Sequence, residues 1–335
     1  MHNRQIILSK LPQGKLTVDC FLARQAPMPI PGPGDVLLRT LYAPLDAASR
    51  AWMQGATYRA GLQAEDIMAA TTLAEVVKSH SPLLAAGDLV LAETGWQTFA
   101  VVSAANALKQ PDIAPRTHLL SVYGVAGLTA YFGLLECGRP RAGETVVVSA
   151  AAGSVGSFAG QIARLNGCRT VGIAGGSAKT ALLTDRLGFD AAIDYKAENL
   201  PEALRRACPE GIDVLFDNVG GDILAACLPH MAKQGRIVCC GAVSQYDAAS
   251  PPAAPAGIPG LLIVNSLTMQ GFLLADFLHQ RERALAALTA WVAAGQLTVL
   301  EDLITGFDAL PAALVGLLAG ENIGKRIVQV AEHVA

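Results

Sequence analysis

The stretch that most constrains the fold is Thr145–Arg164, TVVVSAAAGSVGSFAGQIAR. A β-branched run, Thr145 to Val148, reads as a buried strand, and small residues from Ser149 to Gly153 then break it. Val155, Phe158, Ala159, Ile162 and Ala163 follow at helical spacings of three and four. Strand, glycine turn and helix in this order form the setting in which a chain holds a dinucleotide. Small residues let the backbone approach a pyrophosphate, and N–H groups at the helix start bond its oxygens. Gly153, Ser154, Val155 and Gly156 are therefore the candidate pyrophosphate-binding residues. Ala151 stands where the first glycine of the fingerprint is usual. A small-residue turn that only packs a helix on a sheet is the open alternative.

Cys168–Ala174 reads as the next strand and closes a βαβ unit of about thirty residues. An NAD site places a carboxylate at the end of this strand. Here the strand runs into Gly175-Gly176-Ser177-Ala178-Lys179, with no acid to repel a ribose 2′-phosphate. Lys179 can pair with that phosphate, which favours NADP over NAD. The alternative for Lys179 is a solvated lysine in the first turn of a helix.

The length of 335 residues allows two domains with substantial cores. A net charge of -3 gives no basic surface for nucleic acid or anionic membrane. The N-terminal MHNRQIILSK lacks the apolar stretch of a signal peptide, and no apolar run reaches the ~18 residues of a membrane span. The seven cysteines are odd in number and form no C-x-x-C pair, so they read as reduced thiols of a cytoplasmic protein. Neither they nor the histidines cluster at zinc-ligand spacing, so no metal is expected.

Residues 1–120 read as β-rich, with strands at Val36–Arg39, Leu73–Lys78, Leu89–Leu91 and Phe99–Val102 and a helical turn within Asp46–Met53. This lobe carries no dinucleotide signal, which leaves it to supply substrate contacts. A helix starts at Thr129–Leu135. After it, strands at 145–149, 169–174, 191–194, 212–217, 235–241 and 266–273 alternate with helices near 155–166, 178–187, 198–207 and 222–231. This alternation predicts an α/β fold with a doubly wound parallel sheet. Ligands bind such sheets at the carboxyl ends of the strands. Two of those ends are polar: Asp217-Asn218-Val219-Gly220-Gly221, and Gly241-Ala242-Val243-Ser244-Gln245-Tyr246. Asn218, Gly241, Ser244 and Tyr246 are candidate cofactor contacts there, against the alternative that both segments only turn the chain. The segment 248–260 is rich in proline and alanine and reads as a loop, either ordering over the site or simply connecting. One helix is expected over 276–295, then a strand–helix–strand tail over 300–335.

Several of these motifs stand in one order along nearly the whole chain. They run from Gly127–Gly133 (GLTAYFG), Gly143–Val148 (GETVVV), AAAGSVG, AGGSAK and Leu187–Asp190 (LGFD) to FDNVGG, GAVSQYD, Gly271-Phe272 and Asn322–Lys325 (NIGK). In this set the chain resembles the zinc-independent medium-chain dehydrogenase/reductase superfamily. The nearest group is the NADP-dependent prostaglandin reductase, leukotriene B4 12-hydroxydehydrogenase, alkenal double-bond reductase and curcumin reductase family. The resemblance implies a GroES-like β-rich catalytic domain, residues 1–125 and 300–335, around a Rossmann NADP-binding domain, residues 126–299. It implies NADPH, with the pyrophosphate at Gly153–Gly156 and the 2′-phosphate near Lys179. Tyr195, Asn218, Tyr246 and Asn322 match cofactor-contacting positions, and Phe272 and Leu273 match the segment beside the nicotinamide. A homodimer formed through the Rossmann domain is also implied.

The reaction this implies is hydride transfer from NADPH to the β-carbon of an α,β-unsaturated ketone or aldehyde. Negative charge then develops on the carbonyl oxygen, so the site needs a hydrogen-bond donor there. Tyr246 is the candidate, acting with the nicotinamide ribose hydroxyl. The alternative role for Tyr246 is to fix the ribose. Rival activities are a zinc-free quinone reductase, an NADP-dependent alcohol dehydrogenase, and a non-catalytic, crystallin-like or regulatory NADPH-binding protein. The substrate pocket departs from the family. Its Pro-Tyr after the third strand is Ala47-Ala48 here, with Arg50 retained, and its Gly-Met-Pro-Gly is Gly124-Val125-Ala126-Gly127. Loss of the tyrosine suggests a roomier, less polar pocket for a bulkier enone, against drift compensated by neighbours.

Overall fold

A computed structural model describes residues 2–247 and 257–331 of the chain. The N-terminal strands are β1 (Asn3–Leu8), β2 (Phe21–Ala26), β3 (Asp35–Pro44), β4 (Thr71–Ser79), β5 (Leu89–Glu93), β6 (Phe99–Ser103) and β7 (Leu108–Gln110), with helix α1 (Ala48–Trp52) between β3 and β4. Helix α2 (Val125–Phe132) continues as a π-helical turn, Gly133–Gly138. Then come β8 (Thr145–Ser149), α3 (Gly156–Leu165), β9 (Arg169–Ala174), α4 (Ser177–Asp185), β10 (Ala191–Asp194), α5 (Leu200–Ala207), β11 (Ile212–Asp217), α6 (Gly221–Cys227) and β12 (Met231–Cys239). The chain closes with α7 (Val243–Tyr246), α8 (Ile258–Asn265), β13 (Thr268–Gly271), α9 (Arg281–Ala293), β14 (Glu301–Thr305), α10 (Leu310–Leu318) and β15 (Lys325–Gln329).

These elements form two compact units. The first comprises Met1–Leu120, Glu301–Asn322 and Arg326–Ala335. Its seven-stranded sheet is centred on β3, which pairs antiparallel with β4, β6 and β15. Ile6, Leu8, Trp96, Phe307, Leu314 and Val328 are buried together in its largest core, with Phe21 stacked on Trp96 at 5.4 Å between ring centroids.

The second unit comprises Ser121–Leu300 and Ile323–Lys325. Its six strands run in the order β10-β9-β8-β11-β12-β13, every neighbouring pair parallel. Numbered from β8, this is the 3-2-1-4-5-6 order of the Rossmann fold, with its switch point between β8 and β11. Val146, Val147 and Val148 are fully buried because helices cover both faces of the sheet. Close packing of α3 on the neighbouring turn depends on Gly160, where a Cβ would stand 1.9 Å from the Phe189 ring.

Four expectations need correction. The helix expected over 222–231 ends at Cys227, where Pro229 tightens the chain into a 3-10 turn over Leu228–His230. Strand β12 accordingly starts at Met231 rather than 235, and it accommodates Gln234 at φ 64 with an irregular register against β11. The helix expected over 276–295 is limited to Arg281–Ala293, after a 3-10 stretch over Leu274–Gln280. Of the segment read as loop over 248–260, residues 258–260 open α8, with Pro259 in the first turn where a missing N–H is tolerated. Residues 248–256 of that segment lie outside the described residues.

All seven cysteines are free thiols, five of them buried and Cys239 and Cys240 half-buried. Burial pushes the Cys168, Cys208 and Cys239 thiols up to about 11, Cys240 up to about 12, and Cys137 and Cys227 upward as well. Among the described residues no helix is long and apolar enough to cross a membrane.

Candidate active site

The turn between β8 and α3 is built by small residues packed on their own backbone. A Cβ on Gly156 would stand 2.4 Å from the Ala150 carbonyl oxygen, and one on Gly153 3.0 Å from the same atom. The Gly153 N–H donates to Ala150 O at 2.9 Å, and the Gly324 N–H donates to Ala152 O at 2.8 Å. Within this turn the Ser154 hydroxyl is buried and has no hydrogen-bond partner among the described residues. Val155 precedes α3, where the Ser157 N–H donates to Gly153 O at 3.1 Å and the Phe158 and Ala159 N–H groups donate to Val155 O at 3.1 and 3.0 Å.

The two polar strand ends, which the sequence leaves as turn or contact, bond to each other. Ser244 Oγ donates to Val219 O at 2.6 Å, and the Val243 N–H donates to Asn218 O at 3.3 Å. Gly220 and Gly221 take φ of 71° and 52°, and a Cβ on Gly221 would meet Ser244 Oγ at 2.8 Å. The Asn218 side-chain amide donates to Ser149 O at 2.7 Å, which fixes its orientation and leaves its carbonyl oxygen as the acceptor. A Cβ on Gly241 would meet Asn218 O at 3.0 Å. Tyr246 is half-buried at the end of α7, and its phenolic oxygen accepts the Ala242 N–H at 3.2 Å.

At the neighbouring strand ends, Lys179 lies half-buried in the first turn of α4, and Tyr195 is 43% exposed after β10. The sequence offers no acid at the end of β9, yet the structure brings one from β10. Asp194 accepts the Gly176 N–H at 2.8 Å and the Lys196 N–H at 3.0 Å. The Gly176 bond leads in holding its carboxyl below the usual carboxylate range. Lys196 lies over Gly175, where a Cβ would stand 2.8 Å from Lys196 Cε. Beyond β13, Phe272 packs edge-on to Phe277 at 6.2 Å, and the Leu273 N–H donates to Asp276 at 3.2 Å. Gly133 makes room for Phe272, whose Cζ is 2.4 Å from where a Cβ would be.

The second unit thus gathers Gly153–Gly156, Lys179, Tyr195, Asn218, Gly241, Ser244, Tyr246, Phe272 and Leu273 at or just past the carboxyl ends of one sheet. Val125 opens α2 of this unit and is 56% exposed. Ala47, Ala48, Arg50 and Asn322 belong to the first unit. Ala47 and Ala48 are half-buried at the start of α1, and Asn322 is buried in the turn after α10. Arg50 is buried, and its guanidinium donates to Gly14 O at 2.6 Å, tying α1 to the loop after β1. The sequence reading passes over Ser149, Asp217, Asp194 and Lys196. Ser149 and Asp217 end the strands that flank the switch point, Asp194 ends the strand beside β9 and Lys196 follows it two residues on, so strand order is the signal that finds them.

Residues 4–110 match the family described as N-terminal domain of oxidoreductase, and residues 154–291 match the zinc-binding dehydrogenase family. The chain is 42% identical to the putative NADP-dependent oxidoreductase YfmJ of Bacillus subtilis (strain 168), over 98% of each chain. It is 37% identical to the NADPH-dependent curcumin reductase of Escherichia coli (strain K12), over 98% of this chain and 97% of that one. The solved structure of CurA from Vibrio vulnificus in complex with NADPH superposes with a TM-score of 0.94 at 39% identity, covering 98% of this chain and 100% of that one. The chain belongs to the zinc-independent medium-chain dehydrogenase/reductase family. As a member of this family it is an oxidoreductase. Among the described residues no three His, Cys, Asp or Glu side chains gather into a metal-binding group in this family member.

Proposed function

We propose that the protein reduces the carbon–carbon double bond of α,β-unsaturated ketones or aldehydes with NADPH. The observation that carries the NADPH part of this reading is the buried Ser154 hydroxyl, which has no hydrogen-bond partner among the described residues, in the turn where a Cβ on Gly156 would stand 2.4 Å from the Ala150 carbonyl oxygen. A buried hydroxyl without an acceptor is costly, by about 1–3 kcal/mol, and a phosphate oxygen at the helix start relieves it. Gly153, Ser154, Val155 and Gly156 would hold the pyrophosphate, and Lys179 the 2′-phosphate. Tyr195, Asn218, Gly241, Ser244, Phe272, Leu273 and Asn322 would line the rest of the nucleotide. When bound, NADPH would supply the hydride for the substrate β-carbon, and solvent would supply the proton for the α-carbon. Tyr246 donates its hydroxyl proton into a hydrogen bond with the carbonyl oxygen as that oxygen becomes an enolate. The Ala242 N–H donates to the phenolic oxygen at 3.2 Å. Support comes also from the B. subtilis, E. coli and Vibrio relatives, whose names carry NADP or NADPH.

The test is a screen of enones, quinones and secondary alcohols, with consumption of NADPH or formation of NADPH from NADP+ as the readout. Bulky, apolar enones are expected to be the best substrates, because Ala47 and Ala48 leave the start of α1 without a large side chain. A preference for quinones or alcohols would replace the enone reading. Tight NADPH binding with no turnover on any class would make the protein a binder only.

The assembly that fits this reading is a homodimer. Strand β13 is the outer strand of its sheet, and Ile263 and Val264 of α8 are 78% and 75% exposed. No charged residue stands between Asp247 and Asp276, so β13 carries no charged side chain to block edge pairing. A mass of two chains by light scattering at micromolar concentration is expected. A single-chain mass there would overturn the dimer.

A further inference from the structure

We propose that Asp217 is a positioning residue whose buried negative charge favours binding of the oxidised cofactor, with its cationic nicotinamide, over the neutral reduced one. This rests on the NADPH reading above. Asp217 is 1% exposed and ends β11, on one side of the switch point. Its Oδ1 accepts from Ser149 Oγ at 2.7 Å, from the Val219 N–H at 3.0 Å and from the Gly220 N–H at 3.2 Å. Its Oδ2 accepts from the Gly220 N–H at 3.0 Å. Ser149 Oγ itself accepts the Asn218 N–H at 2.8 Å, so its single proton goes to Asp217. Every partner of the two carboxyl oxygens is a donor.

The residue joins three strands. Ser149 ends β8, and the Asp217 carbonyl accepts the Cys240 and Gly241 N–H groups just past β12, at 2.8 and 3.2 Å. Asn218 and the Gly220-Gly221 turn take their places from these bonds. An amide or hydroxyl could make most of them without a charge. Among the described residues Asp217 makes no ion pair, so hydrogen-bond donors and no cation hold its charge inside the protein. A charge buried at a ligand-binding strand end is compensated when a cation arrives, and a nicotinamide is cationic only when oxidised. At an effective dielectric of about 20, a unit charge acting over about 10–15 Å changes affinity about six- to sixteenfold.

The test compares dissociation constants for NADP+ and NADPH in the full-length wild type and in Asp217→Asn, which keeps the shape and the Oδ1 acceptor. The ratio Kd(NADP+)/Kd(NADPH) is expected to rise about six- to sixteenfold in the variant. Ser149→Ala removes the hydroxyl link without changing charge, and there both constants should move together. If Asp217→Asn does not fold, Asp217→Ser, with room for a water beside Ser149, carries the same comparison. An unchanged ratio in a folded variant overturns the charge role and leaves Asp217 a structural tie. Wild-type protein that binds neither nucleotide would instead sink the cofactor reading, and this inference with it.

Discussion

Tyr246→Phe is expected to lower kcat for an enone about a hundredfold while changing the NADPH dissociation constant less than about threefold. Removing one donor to a developing oxyanion typically costs about 10²–10³ in kcat. The ring remains in the variant, so the packing of α7 persists. The cost to the fold is the Ala242 N–H bond to the phenolic oxygen, a neutral interaction of about 1 kcal/mol. Single-turnover kinetics with pre-bound NADPH separate the two roles left open for this residue. A fall in the chemical step with unchanged affinity assigns Tyr246 to the reacting oxygen. A matched loss of affinity assigns it to holding the ribose, and unchanged turnover removes it from the mechanism.

Lys179→Ala is expected to weaken NADPH binding about tenfold and to leave NADH within about twofold. The lower end of the usual range for a charge-assisted pair, about 1.5 kcal/mol, applies because Lys196 stands over Gly175 at the same turn. The double variant Lys179→Ala, Lys196→Ala should then lose about a hundredfold for NADPH. Added salt should narrow the gap between wild type and variant, since exposed ion pairs are screened. Titration of both nucleotides at two ionic strengths checks this. Equal losses for NADPH and NADH would make Lys179 a structural residue of α4.

The parallel sheet was readable because strands buried on both faces are nearly continuous apolar runs, as in Thr145–Ser149 and Ile212–Asp217. Strand β2 was not, since four of its six residues are exposed and give no alternation to detect. Helix α8 was hidden by composition: a proline at its second position looks like a breaker until the helix start is known. At the candidate site, the glycine turn was readable from its own spacing. The Ser149–Asp217 link was not, because it joins residues 68 apart in sequence that meet only once β8 and β11 are neighbours. Asp194 escaped for the same reason, reaching the β9 turn from the adjacent strand.

The burial of the cysteines has a chemical consequence for a protein proposed to reduce enones. An enone is a Michael acceptor, and the species it alkylates on a protein is the thiolate, not the thiol. With the Cys168, Cys208 and Cys239 thiols near 11 and Cys240 near 12, only about one in ten thousand or fewer of these groups is ionised at neutral pH. Cys239 and Cys240 matter most, because they stand directly before Gly241 at the strand end facing the candidate site. Desolvation thus keeps these sulfurs in their unreactive form, which would spare the protein alkylation by the enones proposed as its substrates.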